Sequence, residues 1–257
     1  MELRVIGCHG GETPKHRTSA FIVDDRVAID AGSLTSGMEL KAQCALEAVL
    51  VSHAHLDHVR DLATIADNRL QNDAAPLVIA ATKPTIGILR KHFFNDLLWP
   101  DFAKLPNARR AAIRYQELHP ERPVQIAGYE VNAIRVSHTI DTCGFTVRGK
   151  AGVLAYSGDT GPTDRLWEVL SETPDLRALL MEVSFPNSEA RLARLSGHHT
   201  PETLARDMRK LGAARAKELP TLLYHIKPSF QATVERECGK LKGLNLTVCA
   251  LGDQFIL

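Results

Sequence analysis

The aliphatic run Ala48-Val49-Leu50-Val51 leads without a break into Ser52-His53-Ala54-His55-Leu56-Asp57-His58. Such a run reads as a buried strand, so the polar cluster sits where the chain leaves its sheet, a usual place for functional loops. Three imidazoles and one carboxylate within six residues are hard to explain as core or as solvated surface. Imidazole and carboxylate suit zinc, manganese or iron, and the lack of thiolates argues against a closed structural zinc cage.

The rest of the chain supplies the sheet that this segment needs. At 257 residues with 44% hydrophobic content, one large domain spanning 1–257 is expected. Strands are expected at Leu3–Cys8, Ala20–Val23, Val27–Asp30, Ala48–Ser52 and Pro76–Ala80. Further strands are expected at Ala111–Glu117, Val124–Ile126, Tyr129–Ser137, Phe145–Val147, Val153–Tyr156, Leu176–Glu182, Thr221–Ile226 and Leu246–Val248. Apolar spacing predicts helices over Met38–Ala45, Leu62–Ile65, Lys83–Ala103, Thr163–Leu170, Pro201–Leu211 and Phe230–Glu237. Thr200, just before Pro201, is placed to cap its helix. The order fits an α/β fold of two packed sheets covered by helices.

Charge and cysteine content narrow the partners. Lys plus Arg total 31 against 30 for Asp plus Glu, a net charge of +1, which argues against binding extended nucleic acid. The five cysteines are scattered without a CxxC pair, and Cys143 reads as a small buried hydrophobe. The N-terminus, MELRVIGC, lacks a basic region followed by a long apolar stretch, and no membrane span is visible, so the expected compartment is cytoplasmic.

The segment His53-Ala54-His55-Leu56-Asp57-His58 resembles the HxHxDH signature of the metallo-β-lactamase superfamily. Asp30-Ala31-Gly32, His138, Ser157-Gly158-Asp159-Thr160 and His225 follow as further landmarks in that family's order. The resemblance implies a four-layer αββα sandwich (metallo-β-lactamase fold), two mixed sheets flanked by helices. It implies two divalent metal ions, with zinc expected and manganese or iron as alternatives. His53, His55 and His138 would hold one, Asp57, His58 and His225 the other, and Asp159 would bridge. Asp30 is better read as a partner of a ligating histidine or a turn residue than as a ligand.

Four segments are similar to class II cyclic-nucleotide phosphodiesterases: Asp30–Gly37, His92–Asp101 with its Trp-Pro-Asp, Glu182–Asn187, and Gly197-His198-His199-Thr200-Pro201. Arg60 and Asp61 depart from that family's usual continuation. The similarity implies hydrolysis of 3′,5′-cyclic nucleotides (cyclic AMP or cyclic GMP) to 5′-monophosphates by a hydroxide shared between the metals. Asp57 would orient the hydroxide, His198 would protonate the leaving oxygen, and Glu182 would hold His198. Only one of His198 and His199 can readily face the site. Phe93, Phe94, Trp99 and Phe102 are read either as a cover that stacks a base or as packed core or interface. Lys227 is read as an exposed lysine within reach of a phosphate. The expected partner is a small cyclic nucleotide or another phosphodiester, and a homodimer is compatible with the chain. The alternatives are a tRNA 3′-processing endonuclease, another small-phosphodiester hydrolase, and a metal-binding protein without hydrolytic activity. The sequence lacks the basic inserted arm by which the tRNA enzymes grip their substrate.

Overall fold

The structure is a computed structural model and describes residues 1–257. The first sheet takes β1 (Glu2–Gly7), β2 (Ala20–Val23), β3 (Val27–Ile29), β4 (Ala48–Leu50), β5 (Leu77–Thr82) and β6 (Ile113–Leu118) in chain order. The second takes β7 (Val124–Ile126), β8 (Tyr129–Arg135), β9 (Cys143–Gly149), β10 (Gly152–Tyr156), β11 (Leu176–Glu182), β12 (Thr221–Tyr224) and β13 (Leu246–Val248). The final strand, β14 (Gln254–Ile256), returns to pair antiparallel with β1. Both sheets are mixed. The early strands of each pair antiparallel, whereas β3 to β6 and β10 to β13 run parallel.

Residue alternation explains the layering. On β2, Phe21 and Val23 pack into the cluster between the sheets, while Ala20 and Ile22 pack outward. On β12, Leu222 and Tyr224 face inward and Leu223 faces the helices. Both faces are apolar because both are covered, which is why these strands read as continuous hydrophobic runs. One cluster lies between the sheets. A second joins the first sheet to Leu62, Ile65 and Phe93, and a third joins the second sheet to Trp167, Leu204, Met208 and Val234. Three interfaces make four layers, the αββα sandwich expected from the sequence.

The helix over Pro201–Met208 begins as anticipated. Thr200 caps it in a reciprocal box with Thr203, and Pro201 needs no amide partner in the first turn. The continuous helix expected over Lys83–Ala103 is corrected. A helix covers Lys83–Ile88, a π-helical turn follows at Leu89–Phe93, and the chain then leaves helical geometry. Asn95 Oδ1 accepts the amide hydrogens of Leu97 at 3.1 Å and Leu98 at 2.8 Å, which captures them before a helix can. Phe93, Phe94 and Phe102 are buried in the outer core of the first sheet. Trp99 is at the surface, donating its indole N–H to the Ala63 carbonyl at 3.2 Å. Short helices at Leu56–Val59, Ala190–Ser196 and Ala213–Glu218, and the strand β14, lie outside the elements read from the sequence.

Candidate metal centre

Strand ends from both sheets converge on one polar cluster. β4 delivers Ser52 to His58, with Asp57 and His58 on the short helix Leu56–Val59. β8 leads to His138, β10 to Asp159, β11 ends on Glu182, and β12 leads to His225. His225 has φ 67°, a left-handed conformation that is unfavourable for a non-glycine residue. Its amide is held by the Cys8 carbonyl at 2.7 Å, and Ser184 Oγ lies 3.2 Å from its carbonyl oxygen.

The donor atoms form two groups. His53 Nε2 lies 3.0 Å from His55 Nδ1, and His138 Nε2 lies 3.3 Å from the same atom. On the other side His225 Nε2 lies 3.4 Å from His58 Nε2 and 3.3 Å from Asp57 Oδ2. Two nitrogens about 2.0–2.1 Å from one tetrahedral cation would be separated by roughly 3.3 Å, so these spacings suit ligation. Asp159 Oδ2 joins the groups, at 3.8 Å from His53 Nε2, 3.2 Å from His58 Nε2 and 3.1 Å from His225 Nε2.

The outward atoms show which ring nitrogen each histidine offers. His58 Nδ1 sits 2.7 Å from Asp30 Oδ2, His138 Nδ1 2.9 Å from the Gly197 carbonyl, and His53 Nδ1 2.9 Å from Ser52 Oγ. His225 Nδ1 sits 2.9 Å from Ser184 Oγ. Nδ1–H donation to these oxygens leaves four Nε2 lone pairs pointing inward, the arrangement by which ligating imidazoles are usually oriented. His55 instead presents Nδ1. Asp159 Oδ1 is buried without a hydrogen-bond partner, which is costly unless a cation satisfies it. The residues present therefore fit a pair of divalent cations.

Residues 26–225 match the family described as a beta-lactamase superfamily domain. The chain belongs to the metallo-β-lactamase superfamily.

As a superfamily member it is a hydrolase with a site for divalent metal. Among curated relatives, a probable 3′,5′-cyclic-nucleotide phosphodiesterase of Yersinia pestis is 28% identical over 278 residues, covering 90% of this chain and 79% of that protein. Among solved structures, unliganded yeast PDE1 superposes with a TM-score of 0.84 at 19% identity, covering 100% of this chain and 99% of that one. The short form of human tRNase Z superposes with a TM-score of 0.69 at 18% identity, covering 100% and 99%. No helix of the structure is long and apolar enough to cross a membrane.

In this metallo-β-lactamase fold, every site residue named from the sequence lies in or beside the cluster. His198 and Glu182 border it, with His198 Nδ1 3.5 Å from Glu182 Oε2. One nitrogen of His198 is within 4.8 Å of donor atoms of both His138 and Asp159. The adjacent His199 turns away, its Nδ1 3.0 Å from Thr203 Oγ1, while its amide donates to Glu182 Oε1 at 2.8 Å. Lys227 is half-buried and donates to the Gly10 carbonyl at 2.7 Å, tying its charge to the wall of the site. Cys143 is buried, and burial pushes its thiol up to about 12, as suits packing rather than reactivity.

The electrostatics favour positive charge in the centre. Burial works against ionising Asp159, but His225 and His58 outweigh it and hold the carboxyl well below its usual range. Burial likewise opposes a proton on His58, yet Asp159 and Asp30 raise its value well above the ordinary one. A proton there occupies the place that a cation takes, and metal binding would displace it. Burial, then the negative charge of Asp159, pushes Glu182 up to about 8. Burial pushes His198 down to about 4.

Three supporting residues had no role in the sequence reading. Ser52 Oγ links His53 to Asp30, donating to Asp30 Oδ2 at 2.8 Å. The Tyr156 hydroxyl donates to the same Asp30 oxygen at 2.6 Å. Ser184 stands among Glu182, His198 and His225. Ser52 could have been found from its place immediately before His53. Tyr156 had no such signal, because its partner is 126 residues away.

Proposed function

We propose that residues 1–257 act as one catalytic domain that hydrolyses 3′,5′-cyclic nucleotides to nucleoside 5′-monophosphates. The observation that carries the reading is Asp159 Oδ2, one carboxylate oxygen within 3.8 Å of Nε2 atoms from both donor groups. His53, His55 and His138 would hold one divalent cation and Asp57, His58 and His225 another, with Asp159 shared. Zinc is the proposed metal, on the nitrogen-rich donor set. When bound, the two cations supply activation of water at neutral pH and neutralisation of charge on the phosphoryl oxygens.

The chain's own residues do the rest. Asp57 Oδ2, on the rim of the shared cluster, orients the attacking water in line with the departing 3′ oxygen. That oxygen leaves as a poor leaving group and needs a proton, which His198 supplies. Glu182, at the end of β11, holds the ring of His198 from behind. The near-neutral charge of +1 supports a small phosphate ester over a long polyanion. The named activity of the Yersinia pestis relative supports a cyclic nucleotide as that ester.

The test couples metal analysis to a hydrolysis screen of cyclic AMP, cyclic GMP, 2′,3′-cyclic nucleotides, bis(p-nitrophenyl) phosphate and precursor tRNA. Two equivalents of metal with turnover of 3′,5′-cyclic nucleotides is the expected result. Turnover of precursor tRNA alone would reassign the chain to RNA processing.

A further inference from the structure

The helical layer over the second sheet carries a cleft of about 640 Å³. It lies between the end of the helix Pro201–Met208, the helix Ala213–Glu218 and the turn that follows the helix Gln231–Cys238. None of the metal-centre residues lines it. The helix Pro201–Met208 starts just after His199, and its length of about 12 Å leads from the metal centre toward the cleft.

The floor of the cleft is aliphatic. Ala205 and Ala216 are buried there, and Leu244 packs down onto the core of the second sheet. The rim is cationic, formed by the exposed side chains of Arg209, Lys217, Lys240 and Lys242. None of the four is in a salt bridge, and no acidic side chain lines the cleft. The residue after Arg209 shows the contrast, because Lys210 turns the other way and meets Asp164 at 2.8 Å and Asp207 at 3.0 Å.

Four like charges around one concavity repel each other, and a low-dielectric floor focuses their field outward. A chain of net charge +1 has carboxylates enough to neutralise them, yet none is placed here. The rim is also fixed before anything binds. The amides of Lys240 and Leu241 donate to the Glu237 and Cys238 carbonyls at 3.1 and 3.0 Å. A volume of 640 Å³ is in the range that holds a small molecule rather than a single ion.

The lining also says what kind of molecule fits. It has no aromatic, hydroxyl, amide or carboxylate side chain, so nothing there stacks or reads a nucleobase. What it recognises is negative charge, with an aliphatic surface to cover a carbon skeleton. One carboxylate would leave most of the rim unmatched. Phosphate groups bring more charge and several acceptor oxygens each, which suits both lysine and arginine.

We propose that this cleft is a second binding site, separate from the metal centre, for a small organic phosphate bearing several negative charges. A sugar bisphosphate and a nucleotide share that chemistry. The site does not depend on the phosphodiesterase reading.

The test follows backbone amide signals of zinc-loaded, 15N-labelled protein titrated with fructose 1,6-bisphosphate, AMP or inorganic phosphate at about 0.15 M salt. The bisphosphate should give saturable shifts in Ala213–Lys217 and Lys240–Leu244 below about 1 mM, with inorganic phosphate weaker. Tighter binding of AMP than of the bisphosphate at these amides would identify a nucleotide as the source, and the reverse a sugar phosphate. Either result sustains the site. The double variant Lys217→Gln, Lys240→Gln should weaken binding about 10–100-fold, whereas Lys217→Arg, Lys240→Arg should retain it. Cyclic AMP turnover should be unchanged in both. Shifts confined to the metal centre, no saturation at about 5 mM, or equal affinity in the glutamine variant overturns the inference. Binding of an RNA oligomer at these amides without binding of any small phosphate also overturns it, since the rim would then serve an extended polyanion.

Discussion

Asp30 Oδ2 lies 2.7 Å from His58 Nδ1, and both side chains are fully buried. The carboxylate fixes the ring with Nε2 toward the cluster and makes it a stronger donor. Asp30→Asn keeps the shape but removes the charge. Zinc affinity should fall about 10–100-fold, read by competition with a chromogenic chelator. Unchanged affinity would reduce Asp30 to a turn residue, the other role its sequence context allowed.

His198→Ala removes the proposed acid while leaving the seven donor residues in place. Turnover of cyclic AMP should drop by roughly 10²–10⁴. The same variant should retain most of its activity on bis(p-nitrophenyl) phosphate. An equal loss on both esters would point to damage of the cluster rather than loss of an acid.

Glu182 links stability to pH. Its value is 4.5 ordinarily and about 8 in the fold, so the folded state is favoured while the carboxyl is neutral. That contribution is fully present below 4.5 and is lost as pH rises through about 8. The melting temperature of the metal-free protein should therefore fall from about pH 5 to about pH 8 and level off above that. In Glu182→Gln the fall should be visibly smaller. Parallel curves for the two proteins would remove Glu182 as the source.

Gly32 tests how tightly the motif is seated. A Cβ there would come within 2.1 Å of the Asp57 carbonyl oxygen, so the helix Leu56–Val59 must move to admit even a methyl group. Gly32→Ala should cost about 1–3 kcal/mol of stability, measured by urea denaturation, and should lower zinc retention as Asp57 and His58 shift. Full stability with full zinc retention would show that the loop adapts.

The aromatic segment divides in two. Phe94 is buried against Phe93 and Phe102, and Phe94→Ala should destabilise by about 3–5 kcal/mol. Trp99, 38% exposed and held by one indole hydrogen bond, should cost about 1 kcal/mol or less as Trp99→Ala. A shift in KM for cyclic AMP in that variant would assign the indole to the substrate. An unchanged KM would remove it from the pocket.

Much of this was legible in the sequence because each sheet is covered on both faces. Ala20–Val23, Leu176–Glu182 and Leu246–Val248 fall on strands with the bounds read from the sequence. The donors were legible because His53 to His58 lie together, and the order of His138, Asp159 and His225 gave the rest a frame. Lys83–Ala103 misled because its dense apolar residues imitate a helical face, while Asn95 diverts two amides that the helix would have used. The supporting contacts were not legible. Tyr156 reaches Asp30 only once the two sheets stack, and Ser184 meets His225 across 41 residues. Nothing in local pattern reports a contact that only the packed sandwich creates.

The donors are divided between the halves of the molecule. His53, His55, Asp57 and His58 follow β4 of the first sheet, whereas His138, Asp159 and His225 follow strands of the second. Neither half alone carries a complete set. On the proposed metal reading, a chain that has formed its sheets but not yet closed one onto the other presents only part of each donor group. Metal held by either full donor group would count the molecules whose halves have met, and a deficit would measure misassembly as much as supply.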